Sequence, residues 1–256
     1  MPNEETIRED LSLPPAFRAR TGPPGMNAVE TACALAESGA DPGTLARAPR
    51  DDVADCAIVL APSEPLAPSL CVAYVAMVAA ADALGALIPP VIPVGFGWPD
   101  RIVVNGAPVG GIRVLAAETE DTANDGAVPA WMVVGLTIAL KLPPADAEPG
   151  RAPHRTALEM EGCGDLTVRA ILESFARHFL YWMNRWQDDG FAPVRLAWLG
   201  RAAGYGVRNR GMETAGPWAD RILLDLAEDG SVTFQEDGRE RTRSVTGVLG
   251  DPTWSI

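Results

Sequence analysis

Lysine is nearly absent from this chain of 256 residues, in which Lys141 stands beside 20 arginines. Histidine occurs only at His154 and His178, and no His-Glu-x-x-His spacing is present, which excludes the common helical metalloprotease motif. No Gly-x-Ser-x-Gly elbow of an α/β-hydrolase occurs either. The formal net charge is −13, and such a surface repels nucleic acid and anionic membranes unless a basic patch offsets it. The sequence shows no such patch, so we expect neither partner.

Long uninterrupted apolar runs and paired cysteines are also missing. The longest apolar run, Leu66–Pro89, is interrupted by Pro68 and Asp82, so we interpret it as a buried helix and not as a membrane span. The first ten residues are acidic and lack the apolar segment of a secretory signal. No Cys-x-x-Cys spacing links the four cysteines, and their apolar or small neighbours favour buried thiols: Cys33, Cys56, Cys71 and Cys163. We therefore expect a soluble, cytoplasmic protein.

The most informative stretch runs from Val91 to Val114 and predicts three strands joined by tight turns. Pro99 breaks the first strand, because proline fixes φ and lacks the amide that a central strand donates. Asn105-Gly106 is a strong hairpin signal, since both turn positions need positive φ. Gly110 and Gly111 then lie side by side in a strand pattern. Such a pair usually marks a bulge or the close approach of a ligand or another backbone.

The remaining segments predict a mixed fold. Helices are predicted over 27–37, from about 68 to 87, from a cap at Asp165 to Gly190, and over 192–203. Strands are predicted over 44–48, 56–60 and 131–140, and then over 222–226, 231–235 and 244–249. The hairpins forbid an all-parallel doubly wound sheet. We therefore expect an α/β (α+β) fold with a mixed, mostly antiparallel sheet packed with helices. Its parts are a tail at 1–11, a main domain at 12–203 and a small C-terminal β unit at 204–256.

Three blocks of this chain resemble the biotin protein ligase and lipoate protein ligase family. The run W-P-D-R-I-V-V-N-G-A-P-V-G-G-I over 98–112 is similar to the family's central W-P … V-N-G … G-G-I signature. The segment 131–138 resembles its W-x-V-x-G-(I/L)-G-I strand, and 25–30 with 39–44 resemble its early S-T-N helix and G-A-x-x-G-T strand. The resemblance covers roughly residues 25 to 140 in the right order. It implies a class II synthetase-like fold.

The resemblance also implies acyl adenylation. Such a ligase joins a carboxylate to the α-phosphate of ATP, releases pyrophosphate, and passes the acyl group to a lysine of a carrier domain. The implied substrates are biotin, lipoate or octanoate with ATP and Mg²⁺, and the implied partner is a biotinyl or lipoyl carrier domain. This chemistry needs cations and oriented donors where negative charge develops. The DNA-binding domain of ligases that double as repressors is not expected here.

Several of the family's catalytic positions are substituted in this chain. The lysine before W-P is replaced by Gly97, the asparagine after it by Asp100, the second lysine by Pro108, and the asparagine after the G-I-G-I strand by Ala139. The arginine-glycine loop is replaced by R-A-P-R-D-D-V-A-D over 47–55, whose acids would repel phosphate. Asp100 could still hold Mg²⁺, but it cannot donate to a phosphate when it is ionised.

Two hypotheses fit this pattern. In the first, arginines replace the missing lysines, because a guanidinium binds phosphate or carboxylate through two parallel hydrogen bonds. The predicted catalytic residues are Arg101, Arg113 and Asp100, the last also as the metal ligand. The predicted ligand-binding residues are Trp98, Pro99, Gly110, Gly111, Ile112, Arg47, Arg50 and Asn27. In the second hypothesis, the chain has lost adenylation and binds a small ligand or a carrier domain.

Each prediction has a structural alternative. Arg101 and Arg113 could be surface partners of acids, Gly110-Gly111 could be a close strand crossing, and Trp98 could be a core residue. Under the first hypothesis, strand alternation puts Arg113 on the same face as Gly111. We then expect Arg113 to point into the main cavity beside Trp98 and Asp100.

Overall fold

The computed structural model describes residues 11–118, 127–143, 155–208, 221–247, 249 and 252–255. The helices are α1 (Ala28–Glu37), α2 (Leu66–Ser69), α3 (Val72–Gly85), α4 (Val168–Asp189) and α5 (Ala192–Leu199), with a short 3₁₀ helix at Val245–Gly247. The strands are β1 (Arg18–Thr21), β2 (Thr44–Arg47), β3 (Val53–Leu60), β4 (Val94–Gly97), β5 (Arg101–Val104), β6 (Ala107–Ala116), β7 (Met132–Ala139), β8 (Ile222–Leu226), β9 (Val232–Glu236) and β10 (Arg239–Arg243).

Seven strands form the main sheet, in the order β1-β2-β3-β7-β6-β5-β4. The outer pair β1 and β2 is parallel, and the other neighbours in this sheet are antiparallel. A second, three-stranded antiparallel sheet has the order β10-β9-β8. The predicted fold class, a mostly antiparallel sheet packed with helices and followed by a small β unit, is therefore confirmed.

The turns of the central stretch form where the sequence predicts them. The chain breaks between β4 and β5 at Trp98-Pro99, whose peptide bond is cis. Asn105 and Gly106 take φ values of 51° and 84°, so both turn positions between β5 and β6 are left-handed, as a two-residue hairpin requires. A register shift between Ile102 and Val103 marks a bulge opposite the paired glycines.

The two faces of the main sheet are covered differently. Helices α3 and α4 bury one face in a large apolar core. On the other face, α1 packs on β2, β3 and β7. The approach is close, since a Cβ added to Gly135 would collide with Val29 of α1. Beyond this helix, on the same face, lie alternate side chains of β6 and β5, among them Arg113 and Arg101. We call this surface the α1 face.

The apolar run that includes α2 and α3 is buried, as predicted. Leu66–Gly85 is long and apolar enough to cross a membrane by length and composition. However, 78% of its most apolar window is buried inside the protein. Buried side chains on all sides of α3 contact the sheet and α4, which is the environment of a central core helix.

Several predicted boundaries were wrong: β3 begins at Val53 and not at 56, α5 ends at Leu199 and not at 203, and two larger errors concern α4 and the small sheet. The N-cap of α4 is Thr167 and not Asp165, because the Thr167 hydroxyl accepts a hydrogen bond from the Ala170 amide (3.2 Å). The third strand of the small sheet is Arg239–Arg243 and not 244–249. Asp237 and Gly238 both have positive φ, so they form a two-residue hairpin turn and the strand follows directly. All five residues of its sequence R-E-R-T-R are exposed, and it lacks the apolar alternation used to locate strands.

The small β unit shares its core with the rest of the chain. Its buried apolar residues belong to the same cluster as α3, α4 and the main sheet: Leu223, Leu226, Val232, Phe234, Val245 and Leu249. The Tyr74 hydroxyl of α3 donates to the carbonyl of Gly230 (2.8 Å). Arg195 of α5 donates to the Leu226 carbonyl and forms an ion pair with Asp225. The small sheet is thereby fixed against α3 and α5.

Candidate functional site

A row of four residues crosses the α1 face of the main sheet. Arg101 pairs with Gly111, Gly111 with Thr137, and Thr137 with Asp55, on the adjacent strands β5, β6, β7 and β3. Directly paired residues project to the same side of a sheet. We call these residues the cross-strand row. Arg113 lies two positions beyond Gly111 on β6 and therefore projects from the same face.

Asp55 forms the end of the row beneath α1. It is only 4% exposed, and its carboxylate accepts hydrogen bonds from the Ala28 amide (3.0 Å) and the Thr137 hydroxyl (3.2 Å). Burial raises the pKa of Asp55, while these two donors and the nearby Arg50 act to lower it. Its contact with the first turn of α1 places a carboxylate at the positive end of the helix. Asp55 thus fixes α1 on the sheet.

The C-terminal segment 252–255 lies over the opposite end of the row. The Thr253 amide donates to Asp100 Oδ2 (2.8 Å), and its hydroxyl donates to Asp100 Oδ1. Arg101 donates through Nε to the Thr253 carbonyl and hydroxyl oxygens (both 3.0 Å) and through Nη2 to the same carbonyl (2.6 Å). The backbone and side chain of Thr253 are therefore both held. Asp100 and Arg101 bind the chain's own C-terminal segment.

Burial of Asp100 has a consequence for stability. The side chain is 1% exposed, and desolvation raises its pKa to about 6, partly offset by hydrogen bonds from Thr253. Between pH 3.8 and about 6 the folded protein therefore holds a proton that the unfolded chain has lost. The stabilising contribution of this proton is present below that range and is lost as the pH rises through it.

Asp100→Asn should therefore gain stability relative to the wild type as the pH rises. The difference in unfolding free energy between the two proteins should grow by about 2–3 kcal/mol from pH 4 to pH 7, because asparagine cannot ionise. Urea unfolding at a series of pH values measures this difference. A constant difference over the range would show that Asp100 titrates normally in the folded protein.

The two adjacent glycines of β6 have different roles. Gly110 has φ of +150°, and a Cβ there would collide with the backbone carbonyl of Thr137. At Gly111, a Cβ would collide with the carbonyl of Asp100 and with the indole of Trp254. Neighbouring groups therefore approach the backbone of both glycines closely, as the sequence predicts. At Gly111 the approaching group is a side chain of the C-terminal segment.

Two nitrogen atoms of this site lack hydrogen-bond partners. Among the described residues, the buried side-chain nitrogens without a partner are Arg113 Nε and Trp254 Nε1. The Arg113 side chain is partly buried. It lies near the Cys33 thiol, where burial raises the pKa and the positive charge of Arg113 acts to lower it. Both nitrogens are donors, so neither can satisfy the other. The site therefore presents unused donors in a region shielded from water.

The structure corrects the predicted position of Trp98. Its indole donates to the Tyr74 hydroxyl of α3 (3.0 Å) and lies edge-on against Phe234, with ring centroids 5.4 Å apart. Trp98 is therefore a core residue beneath the small β unit, as is the fully buried Ile112. Both lie on the α3 side of the sheet, so the prediction that Arg113 lies beside Trp98 was wrong. Pro99 is buried in the turn between β4 and β5.

The other predicted ligand-binding residues are engaged elsewhere. Asn27 is the N-cap of α1 and forms a capping box with Glu30, whose amide donates to Asn27 Oδ1 (2.8 Å). Arg47 donates to the Thr21 hydroxyl (3.1 Å). Arg50 forms a two-pronged ion pair with Asp52 (2.9 and 2.6 Å), in which both side chains are about half exposed. In this arrangement Arg47 Nε and the Arg50 guanidinium are engaged by neighbouring side chains.

The described cavities lie away from the cross-strand row. One of about 520 Å³ opens between the end of β3, α2 and α4 and is lined in part by Leu60, Met183 and Trp186. Others of about 310 and 530 Å³ lie near Phe96 and at the β9–β10 hairpin. Arg113 lines none of these three cavities, and the expectation that it points into the main cavity stays a prediction. The cross-strand row and Arg113 lie between α1 and the C-terminal segment, and Asp55 and Gly111 in this row are buried.

Sequence reasoning missed four residues of the site. Asp55 was counted in a loop, although a lone acid in the apolar run V-A-D-C-A-I-V-L could have indicated a buried carboxylate in a strand. Thr137 stands where the family motif has glycine, which could also have been noticed. Thr253 lies more than 150 residues from its partners Asp100 and Arg101, and Trp254 is similarly distant in sequence from Gly111. No local pattern could have connected them.

Comparison with known proteins agrees with the fold and the motifs. A sequence model of the biotin/lipoate A/B protein ligase family matches residues 13–200. A biotin protein ligase-like protein of unknown function from Silicibacter sp. TM1040 has a solved structure that is 32% identical, with a TM-score of 0.81 over 94% of this chain and 99% of that one. The biotin–[acetyl-CoA-carboxylase] ligase of Paracoccus denitrificans is 32% identical over 137 residues, 52% of this chain and 53% of the relative. The chain thus spans about half the length of that relative.

More distant structures show the fold alone. The Aquifex aeolicus biotin protein ligase in complex with biotin and ATP is 14% identical, with a TM-score of 0.59 over 89% of this chain and 95% of that one. The family match covers most of the sequence, including every strand and helix of the main sheet and its two covering layers. The chain belongs to the biotin/lipoate A/B protein ligase family.

Proposed function

We propose that this chain binds biotin or a related carboxylate, such as lipoate or octanoate, on the α1 face of the sheet, and that Arg113 binds the carboxylate. The observation that carries the proposal is the buried, unpartnered Nε of Arg113. Leaving a buried donor without a partner costs roughly 1–3 kcal/mol, more for a charged group. A carboxylate would recover that energy through the two-pronged geometry that guanidinium favours.

The surroundings of Arg113 suit an acid with an apolar body. Leu115 follows on the same face of β6, and Trp131 lies at the start of the neighbouring strand. Both are partly buried and pack against the apolar cluster formed by α1 and the sheet. A ring or acyl chain bound through Arg113 can therefore bury apolar surface against them, which adds to the affinity.

ATP and Mg²⁺ do not fit the residues in this arrangement. Both oxygens of Asp100 accept hydrogen bonds from Thr253, and Arg101 is bound to the same residue. Arg50 is paired with Asp52. Within the described ranges, no group of three His, Cys, Asp or Glu side chains could hold a metal ion. The proposed function is therefore carboxylate binding, without a nucleotide step.

A complete ligase is the second candidate. It is favoured by the 32% identity to a protein named as a biotin–[acetyl-CoA-carboxylase] ligase. For this chain, adenylation would require Thr253 to leave Asp100 and Arg101, so that these two residues could face ATP and Mg²⁺. The partner in either case would be a biotinyl or lipoyl carrier domain. A net charge of −13 repels nucleic acid and anionic membranes, so we propose neither as a partner.

Calorimetric titration with biotin, lipoate and octanoate tests this proposal. At least one of the acids should bind without nucleotide, and the matching primary amide should bind at least about tenfold more weakly, because it lacks the charge that Arg113 binds. Equal binding of acid and amide, or no binding of any acid, would contradict the proposal. Pyrophosphate release with ATP-Mg²⁺ and the bound acid would in addition establish the second candidate.

A further inference from the structure

We infer that the C-terminal segment 252–255 is part of the ligand site and that Trp254 is a ligand-contacting residue. The indole of Trp254 forms the wall of the site over Gly111, and its N–H donates to the same carboxylate that Arg113 binds. This inference rests on the proposed function, because it assigns a second donor to the ligand named there.

The C-terminal segment is held at this position by specific contacts. Asp100 accepts from the amide and the hydroxyl of Thr253, while Arg101 donates to the carbonyl and hydroxyl oxygens of the same residue. Asp100 is buried, so these hydrogen bonds form with little competition from water. Thr253 is thus anchored on both sides, which fixes the position of the next residue, Trp254.

Trp254 occupies space that only a glycine on β6 leaves open. A Cβ at Gly111 would collide with Nε1 and Cδ1 of the indole. The ring therefore lies directly against the bare backbone of β6. Arg113 projects from the same face two positions along this strand, which is a distance of about 7 Å. The indole and the Arg113 side chain therefore lie on the same face of β6, two positions apart along the strand.

The indole N–H of Trp254 differs from those of three other tryptophans, of which the fully buried Trp198 donates to the Met77 sulfur (3.3 Å). Trp98 donates to the Tyr74 hydroxyl (3.0 Å), and Trp182 donates to the Asp82 carboxylate (2.8 Å). A buried indole N–H usually has such a partner. Trp254 Nε1 is buried and has none.

The missing acceptor for Trp254 points to a ligand. The indole N–H and Arg113 Nε can only donate, so what both lack is an acceptor. A carboxylate supplies two acceptor oxygens and the negative charge that the guanidinium favours. One bound carboxylate can therefore satisfy both unpartnered nitrogens. Trp254 then adds a hydrogen bond and an aromatic wall to the carboxylate site at Arg113.

Trp254→Phe tests the hydrogen bond, because phenylalanine keeps an aromatic wall and removes the N–H. For the acid that binds the wild type, Kd should rise about fivefold to tenfold in calorimetry. Trp254→Ala, which also removes the wall, should raise Kd more than Trp254→Phe. Trp186→Phe is the matched control, because Trp186 lines the separate cavity near α2 and α4. The Kd of this variant for the acid should stay within about twofold of the wild-type value.

A spectroscopic readout complements the affinities. In protein labelled with ¹⁵N-tryptophan, the indole signal that disappears in Trp254→Phe belongs to Trp254. This signal should shift when the acid is added, and the matching amide should shift it less. An unchanged Kd in Trp254→Phe, with no shift of this signal, would overturn the inference while leaving carboxylate binding at Arg113 intact.

Two other outcomes would also overturn the inference. Tighter binding in Trp254→Ala would show that the C-terminal segment covers the site and competes with the ligand. If the wild type binds none of the three acids, the proposed function fails and the inference fails with it. The wild-type titration therefore separates failure of the function from failure of the role assigned to Trp254.

Discussion

Replacing Arg113 with alanine should weaken binding of the carboxylate by about 1.5–3 kcal/mol, which is about a 10- to 150-fold rise in Kd. The reason is the loss of charge-assisted hydrogen bonds in a region shielded from water, where Arg113 Nε is buried. Folding should not be weakened, since Arg113 Nε binds no other group of the described chain and its removal relieves the cost of a buried donor without a partner. Calorimetry with the acid that binds the wild type measures the effect.

Two further variants sharpen this test. Arg113→Lys keeps the charge and loses the planar fork, so its affinity should lie between those of the wild type and the alanine variant. Arg50→Ala removes an arginine that is about half exposed and paired with Asp52, and Kd should change by less than about twofold. An Arg113→Ala variant with unchanged affinity would remove Arg113 from the site and with it the proposed function.

Gly110→Ala should destabilise the fold by about 3 kcal/mol or more. The backbone at this position has φ of +150°, which L-residues rarely adopt, and a Cβ would collide with the carbonyl of Thr137 on β7. Relief of this collision would require β6 and β7 to separate in the centre of the sheet. Chemical unfolding of the variant and the wild type, monitored by circular dichroism, measures the difference in unfolding free energy.

Gly164→Ala provides the control for this effect. Gly164 is exposed, and the only atom near an added Cβ there is Glu159 Cγ at 3.6 Å, an ordinary contact distance. Its φ lies outside the left-handed region, so the change should stay within about 0.5–1 kcal/mol of the wild type. If Gly110→Ala were as stable as Gly164→Ala, the crossing of β6 and β7 at Gly110 would not be as close as the structure shows.

Much of the fold could be predicted because its signals are local. Asn105-Gly106 fixes one hairpin through the φ values that the turn requires, and Pro99 ends the preceding strand. The apolar run that includes α3 has no polar face, which is typical of a helix buried on all sides. The strand β10 was misplaced because its exposed R-E-R-T-R sequence carries no apolar alternation.

The site could be predicted only in part. Strand alternation correctly put Arg113 on the face of Gly111, because the period of two is a local property of the backbone. The roles of Asp100 and Arg101 depend on Thr253, which is distant in sequence and reaches them only in the folded chain. Trp98 was expected near the ligand, but the turn at Pro99 directs it into the core toward Tyr74. Which face a residue takes after such a break is decided by tertiary packing.

A crystal structure of the protein with a bound acid tests the central claim most directly. Crystals grown with whichever of biotin, lipoate or octanoate binds in solution should show its carboxylate on the α1 face of the sheet. At least one carboxylate oxygen should lie within hydrogen-bond distance of Arg113, about 2.7–3.2 Å. An acid bound instead in the cavity between the end of β3, α2 and α4, with Arg113 unliganded, would contradict the account.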